Sequence, residues 1–120
     1  MKTKLLGRRG EASAADYLRK KGYEIIGMNY STRFGEIDLI AEDKTHIVFA
    51  EVKLRKSARF AEAREYVNSR KIERIKTTAE IWLSQNETEK RARFDVIEIY
   101  FSGEGGPENE EIIHLEDAFQ

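Results

Sequence analysis

The chain has 120 residues, with 21 basic and 22 acidic side chains, two histidines and no cysteine. That length suits one domain with a real core; the lack of thiols excludes disulfides and thiolate metal sites and makes a reducing cytoplasm the expected compartment. No run approaches the roughly 20 apolar residues of a membrane span, and Met1 to Gly7 leads into Arg8 and Arg9 without an apolar core, so neither a signal peptide nor a membrane partner is expected.

Ala12, Ala15 and Leu18 follow helical spacing and predict a helix over 7–21, stopped by Gly22. A first strand is predicted over 23–30. Residues 35–42 and 46–53 read as a hairpin around Asp43-Lys44-Thr45. A polar, basic loop over 54–66 leads into a long amphipathic helix over 67–85, with Ile72, Ile75, Ala79 and Leu83 on one stripe. Residues 93–101 read as another strand, 103–109 as a flexible loop rich in glycine, and Ile112 to Leu115 as a short C-terminal edge strand. The order αβββαβ predicts a single α/β domain over 1–120, a mixed β-sheet core flanked by helices. His46 and His114 have no paired metal-ligand spacing and read as surface or loop residues.

The net charge of −1 conceals an asymmetry. Residues 1–21 hold seven basic and two acidic side chains, a balance of +5, and residues 53–76 hold nine and three, a balance of +6. Residues 102–120 hold six acidic and no basic side chains, a balance of −6. Such blocks read either as solvated surface or as two basic surfaces facing a polyanion.

The hairpin carries the candidate chemistry. Side chains alternate faces along a strand. Ile37, Leu39 and Ala41 therefore share a face with Val48, Ala50 and Val52, while Glu36, Asp38, Glu51 and Lys53 gather on the other, with Ile40 and Phe49. With Lys44 and Thr45 as the turn, position i pairs with 89 − i, which sets Asp38 opposite Glu51 and Glu36 opposite Lys53. Directly opposed side chains have Cβ atoms about 4.5–5.5 Å apart, and like charges there are destabilising. Two such carboxylates need a shared proton or a cation, and an oxygen-rich pair suits Mg²⁺. The plainer alternative is a solvated strand face with salt bridges. Against it, Ile-Val-Phe-Ala running into Glu51 reads as a buried central strand.

Asp38 followed by Glu51-Val52-Lys53 resembles the metal-binding signature of the PD-(D/E)xK nucleases. A wider set is similar to the small bacterial YraN family: Gly10-Glu11, Tyr17-Leu18, Gly22-Tyr23, Gly35-Glu36-Ile37-Asp38-Leu39-Ile40-Ala41, Glu51-Val52-Lys53, Arg55, Lys71 and Arg93-Phe94-Asp95. Ile37 stands where the wider nuclease signature has proline, and Ala61 and Tyr66 depart from the family pattern. The resemblance implies a restriction-endonuclease-like fold related to archaeal Holliday junction resolvases. It implies Mg²⁺ or Mn²⁺ on Asp38 and Glu51, and Lys53 positioning the attacking water or stabilising the pentacovalent phosphate. Glu11 would be an additional acid from the first helix; its plainer role is an ion pair with Arg8. Arg8, Arg9, Arg55, Lys56, Arg59, Arg70 and Lys71 are the candidate nucleic-acid contacts, Lys71 foremost because it matches the family pattern. Phe34 and Phe60 are able to stack on bases, although core packing is the stronger reading of both. Resolvases act as dimers because a junction presents paired strands, so the resemblance admits a homodimer.

Three functions follow. The first is a metal-dependent nuclease hydrolysing phosphodiester bonds in DNA, with branched or junction DNA in view. The second is a non-cleaving nucleic-acid-binding protein of the same fold, acting in recombination or repair. The third is a protein-interaction module whose carboxylates are structural. One scaffold hosts all three; intact Asp38, Glu51 and Lys53 favour the first.

Overall fold

A computed structural model describes residues 2–55, 69–101 and 110–119, with side chains from residue 8 onwards. Lys56, Arg59, Phe60, Ala61, Tyr66 and the expected 103–109 loop lie outside the described residues. In chain order the elements are α1 (Lys2–Lys20), β1 (Glu24–Thr32), β2 (Gly35–Glu42), β3 (His46–Arg55), α2 (Ser69–Gln85), β4 (Arg91–Tyr100) and β5 (Glu111–Leu115). The strands form one sheet in the order β1-β2-β3-β4-β5. β3 and β4 run parallel and the other neighbours antiparallel. A parallel step cannot be made by a tight turn, and α2 lies in the crossover between those two strands. This is the predicted α/β order and mixed sheet, with 111–115 as its edge strand. No helix among the described residues is long and apolar enough to cross a membrane.

α1 begins at Lys2, ahead of the predicted residue 7, because an isolated glycine such as Gly7 does not end a helix. It stops as predicted. Gly22 takes φ +99°, the Gly22 N–H donates to Arg19 O and the Tyr23 N–H to Leu18 O, both at 3.0 Å. These are the paired bonds of a Schellman cap. The hairpin turn is held by Asp43, whose Oδ1 accepts the N–H groups of Thr45 and His46 at 2.9 and 2.8 Å. The predicted register holds, with Leu39 opposite Ala50 and Ala41 opposite Val48.

Both faces of the sheet are covered. Leu39, Ala41, Val48, Ala50, Ile97 and Ile99 pack with Ala14, Ala15 and Leu18 of α1. Ile40, Ile47 and Phe49 pack with Ile75 and Ala79 of α2, and Trp82 meets Phe49 edge-on at 5.8 Å. Two expectations fail here. Ala12 is exposed, since the buried stripe of α1 runs through Ala14, Ala15 and Leu18. Ile37 packs in the α2 cluster and not with Leu39 and Ala41. Its partner on β1 is Tyr30, which follows Asn29 at φ 53°, and both side chains join that cluster.

The α1 face also holds a buried polar network. Asp95 is fully buried and accepts two bonds from Arg93, at 2.9 and 2.8 Å, and the Asp117 N–H at 3.0 Å. His114 Nε2 lies 2.6 Å from Asp95 Oδ2 and its Nδ1 lies 3.1 Å from the Tyr17 hydroxyl. Reading His114 as a surface residue was therefore wrong: its side chain is 3% exposed. Nothing local to β5 announces this, because its partners come from β4 and α1. Burial by itself would raise the Asp95 pKa; hydrogen bonds from His114 and Arg93 overcome it and hold it at about 2.

Candidate functional site

The β2–β3 ladder ends at Leu39–Ala50. Beyond it β2 continues paired to β1, with Glu36 opposite Ser31. Asp38 sits where the two strands part, and its Oδ2 accepts the Val52 N–H at 2.8 Å. A side chain thus satisfies a donor that the departing strand leaves free. The expected oppositions of Asp38 to Glu51 and of Glu36 to Lys53 both fall beyond the ladder, and Glu36 is exposed.

Glu51 follows the last ladder pair on β3 and is 6% exposed. Its Oε1 meets two cations, Lys71 Nζ at 2.5 Å and Lys53 Nζ at 3.6 Å. Asp38 forms no ion pair among the described residues, although Lys71 lies near enough to feel its charge. Burial, then the charge of Glu51, raises the Asp38 pKa to about 7, against the Val52 hydrogen bond; Glu11 and Glu36 add to the rise. Burial lowers the Lys53 pKa and neighbouring Lys71 lowers it further, while Glu51 opposes both. Burial also works against the charge on Lys71, but its bond to Glu51 prevails and its pKa is raised.

Glu11 reaches this region because α1 passes over the end of β3. A Cβ on Gly10 would lie 3.3 Å from Leu54 Cδ1 and 3.8 Å from Val52 Cγ1, so the helix comes within side-chain contact of the end of β3. Glu11 is half-buried and forms no ion pair with Arg8. Among the described residues no three His, Cys, Asp or Glu side chains gather closely enough to hold a metal, which leaves the pair Asp38 and Glu51 as the candidate donors. A half-buried carboxylate outside any ion pair among the described residues, beside a second carboxylate, is a donor set that fits Mg²⁺ or Mn²⁺ with water and phosphate completing the shell.

The predicted basic contacts divide. Arg70 is exposed and, with Lys71, Glu36, Asp38 and Arg74, lines a cleft of about 350 Å³ between β2 and α2. Arg9 is committed to Glu110 at 3.1 Å and Arg55 to the buried Glu98 at 3.1 Å. Arg8 is exposed. Arg74 was missed, although it stands four residues after Arg70 and so on the same helix face. Also missed was the bond from Lys71 to Glu51, which no local spacing reveals.

A mixed sheet under two helices, with two acids and a lysine at the fork of two strands, has the element order that the nuclease resemblance implies. The chain belongs to the YraN family: the model of "Uncharacterised protein family UPF0102" matches residues 10–99. The UPF0102 protein of Caldicellulosiruptor bescii is 42% identical over 121 residues, spanning 99% of this chain and 100% of its own. That of Vibrio parahaemolyticus is 44% identical over 100 residues, 82% of this chain and 83% of its own. That of Syntrophomonas wolfei is 47% identical over 95 residues, 78% and 83% of the two chains.

Proposed function

We propose that this protein is a divalent-metal-dependent nuclease that hydrolyses phosphodiester bonds in DNA, branched DNA foremost. The observation that carries the reading is Asp38, half-buried at the strand fork beside Glu51 with a main-chain N–H as its hydrogen-bond partner. Holding a half-buried carboxylate ionised beside a second one costs free energy unless a proton or a cation joins it. Asp38 and Glu51 would hold Mg²⁺ or Mn²⁺. When bound, that ion polarises a phosphate oxygen and activates water. Lys53 offers positive charge where negative charge develops on the phosphoryl oxygens. The water oxygen bonds to phosphorus and gives up a proton to solvent as the bond to the leaving nucleoside oxygen breaks, and that oxygen takes a proton from solvent. Arg70, Lys71 and Arg74 hold flanking phosphates, and Glu11 adds negative charge behind Asp38.

One observation favours a second reading, a binder that does not cleave: the Lys71 ammonium neutralises Glu51 without any metal. One experiment separates the two. Branched, single-stranded and duplex DNA are incubated with Mg²⁺ or Mn²⁺ beside Glu51→Ala. The nuclease reading expects metal-dependent products that fall by about 10²-fold or more in the variant, the scale of losing one transition-state contact. Salt-sensitive binding with no products in either metal leaves the binder. A junction substrate also calls for a homodimer, which sedimentation of the protein with junction DNA checks.

A further inference from the structure

We propose that the tip of the β1–β2 hairpin is a stacking platform for one unpaired nucleotide beside the carboxylates. This rests on the nucleic-acid reading above and narrows its substrate to strands carrying an unpaired base.

The tip is Arg33-Phe34, a two-residue loop between Thr32 and Gly35. Such loops ordinarily use Gly, Asn or Asp to reach left-handed backbone. Here neither residue has a positive φ. The Thr32 hydroxyl instead accepts the Phe34 N–H at 3.1 Å and donates to Gly35 O at 3.4 Å. Turn chemistry therefore does not call for an aromatic residue. Packing does not call for it either: Phe34 is 43% exposed, against the sequence expectation of a core role.

The tip is held firmly. A Cβ on Gly35 would meet Arg74 Cβ and Thr78 Oγ1 at 3.2 Å, so the hairpin is seated directly on α2 and a larger residue would have to push the helix side chains back. The Arg33 guanidinium lies over the Phe34 ring, 4.8 Å from its centre. Phe34, Arg33 and Arg74 line a cavity of about 690 Å³, within the range of small-ligand sites. Gly35, Glu36 and Arg74 border both this cavity and the cleft that contains Asp38, so the two adjoin. A rigid exposed ring with arginine beside it suits a base on its phosphate backbone. Glu36 and Glu73 on the rim are able to accept from base amino groups. A paired base inside a duplex offers no free face to Phe34.

The test uses the full chain, with oligonucleotides carrying 2-aminopurine either unpaired or within blunt duplex, in chelator and in Mg²⁺. Wild type should quench the unpaired probe and bind it. Phe34→Ala should lose the quench and weaken unpaired binding about five-fold or more, with blunt-duplex binding unchanged. Phe34→Trp should keep both signals, which excludes misfolding as the cause. Equal loss on both substrates, no loss on either, or a wild type that binds no nucleic acid, as a protein-docking tip would, overturns the proposal. Loss of the quench with no cleavage under any condition leaves the platform standing and removes the nuclease reading. Cleavage without a Phe34 effect does the reverse.

Discussion

Two aspartates, half-buried Asp38 on the α2 face and fully buried Asp95 on the α1 face, meet opposite fates. Asp95 receives Arg93, His114 and a main-chain N–H, and its pKa falls to about 2. Asp38 receives one main-chain N–H and the repulsion of Glu51, and its pKa rises to about 7. Burial alone therefore does not set the charge state of a carboxylate; the charges and donors around it do. Asp95 belongs to a finished ion-pair network. Asp38 has room for a further positive charge.

The largest expected effect lies at Asp95. Asp95→Ala strips the partner from Arg93 and His114 and should cost about 3 kcal/mol in urea denaturation, as broken buried pairs do. A loss below about 1 kcal/mol would erase the contrast, since exposed pairs cost that little.

Metal comes next. Mg²⁺ or Mn²⁺ at a hundred times its dissociation constant should stabilise the wild type by about 2.7 kcal/mol in thermal melts. Asp38→Asn and Glu51→Gln should show no such gain. In chelator above pH 7, Asp38→Asn should be at least as stable as wild type, because an unfavourable buried charge has gone. Identical wild-type melts in metal and chelator would count against the metal pair.

The two acids should also bend the pH profile in opposite directions. The Asp38 pKa is raised from 3.8 to about 7, so the folded state holds more protons than the unfolded one between those values. Stability in chelator should fall as pH rises through that window, by at most about 1.4 kcal/mol per pH unit from this group. The Asp95 pKa is lowered from 3.8 to about 2, so its contribution is present above that range and lost as pH falls through it. Denaturation across pH 2–8 should lose the falling limb in Asp38→Asn and the acid limb in Asp95→Asn. The smallest effect is the control: Arg19 pairs with Asp16 in the open, and Arg19→Ala should change stability by less than about 0.5 kcal/mol.

Much of this was legible in the residues themselves. Alternation and turn chemistry located the hairpin and its register, because both are local properties of a few successive residues. They also gathered Asp38, Glu51 and Lys53 at one end. The same rules misplaced Ala12 by one position on its helix and Ile37 by one face of the sheet. Each of those depends on what packs above it. Phe34 was expected in the core because it is apolar, and only the seating of Gly35 on α2 leaves it outside.

The sequence by itself determined the elements, their order and the supply of charge, since periodicity and capping act over a few residues. Tertiary structure alone decided which charges are spent on one another. Arg9 is taken by Glu110, Arg55 by Glu98 and Asp95 by His114, across separations of 101, 43 and 19 residues. Asp38 is left beside Glu51, and its partial burial makes that repulsion count. Coulomb energy depends on distance and dielectric in space, and neither can be read along the chain until the sheet has closed under its two helices.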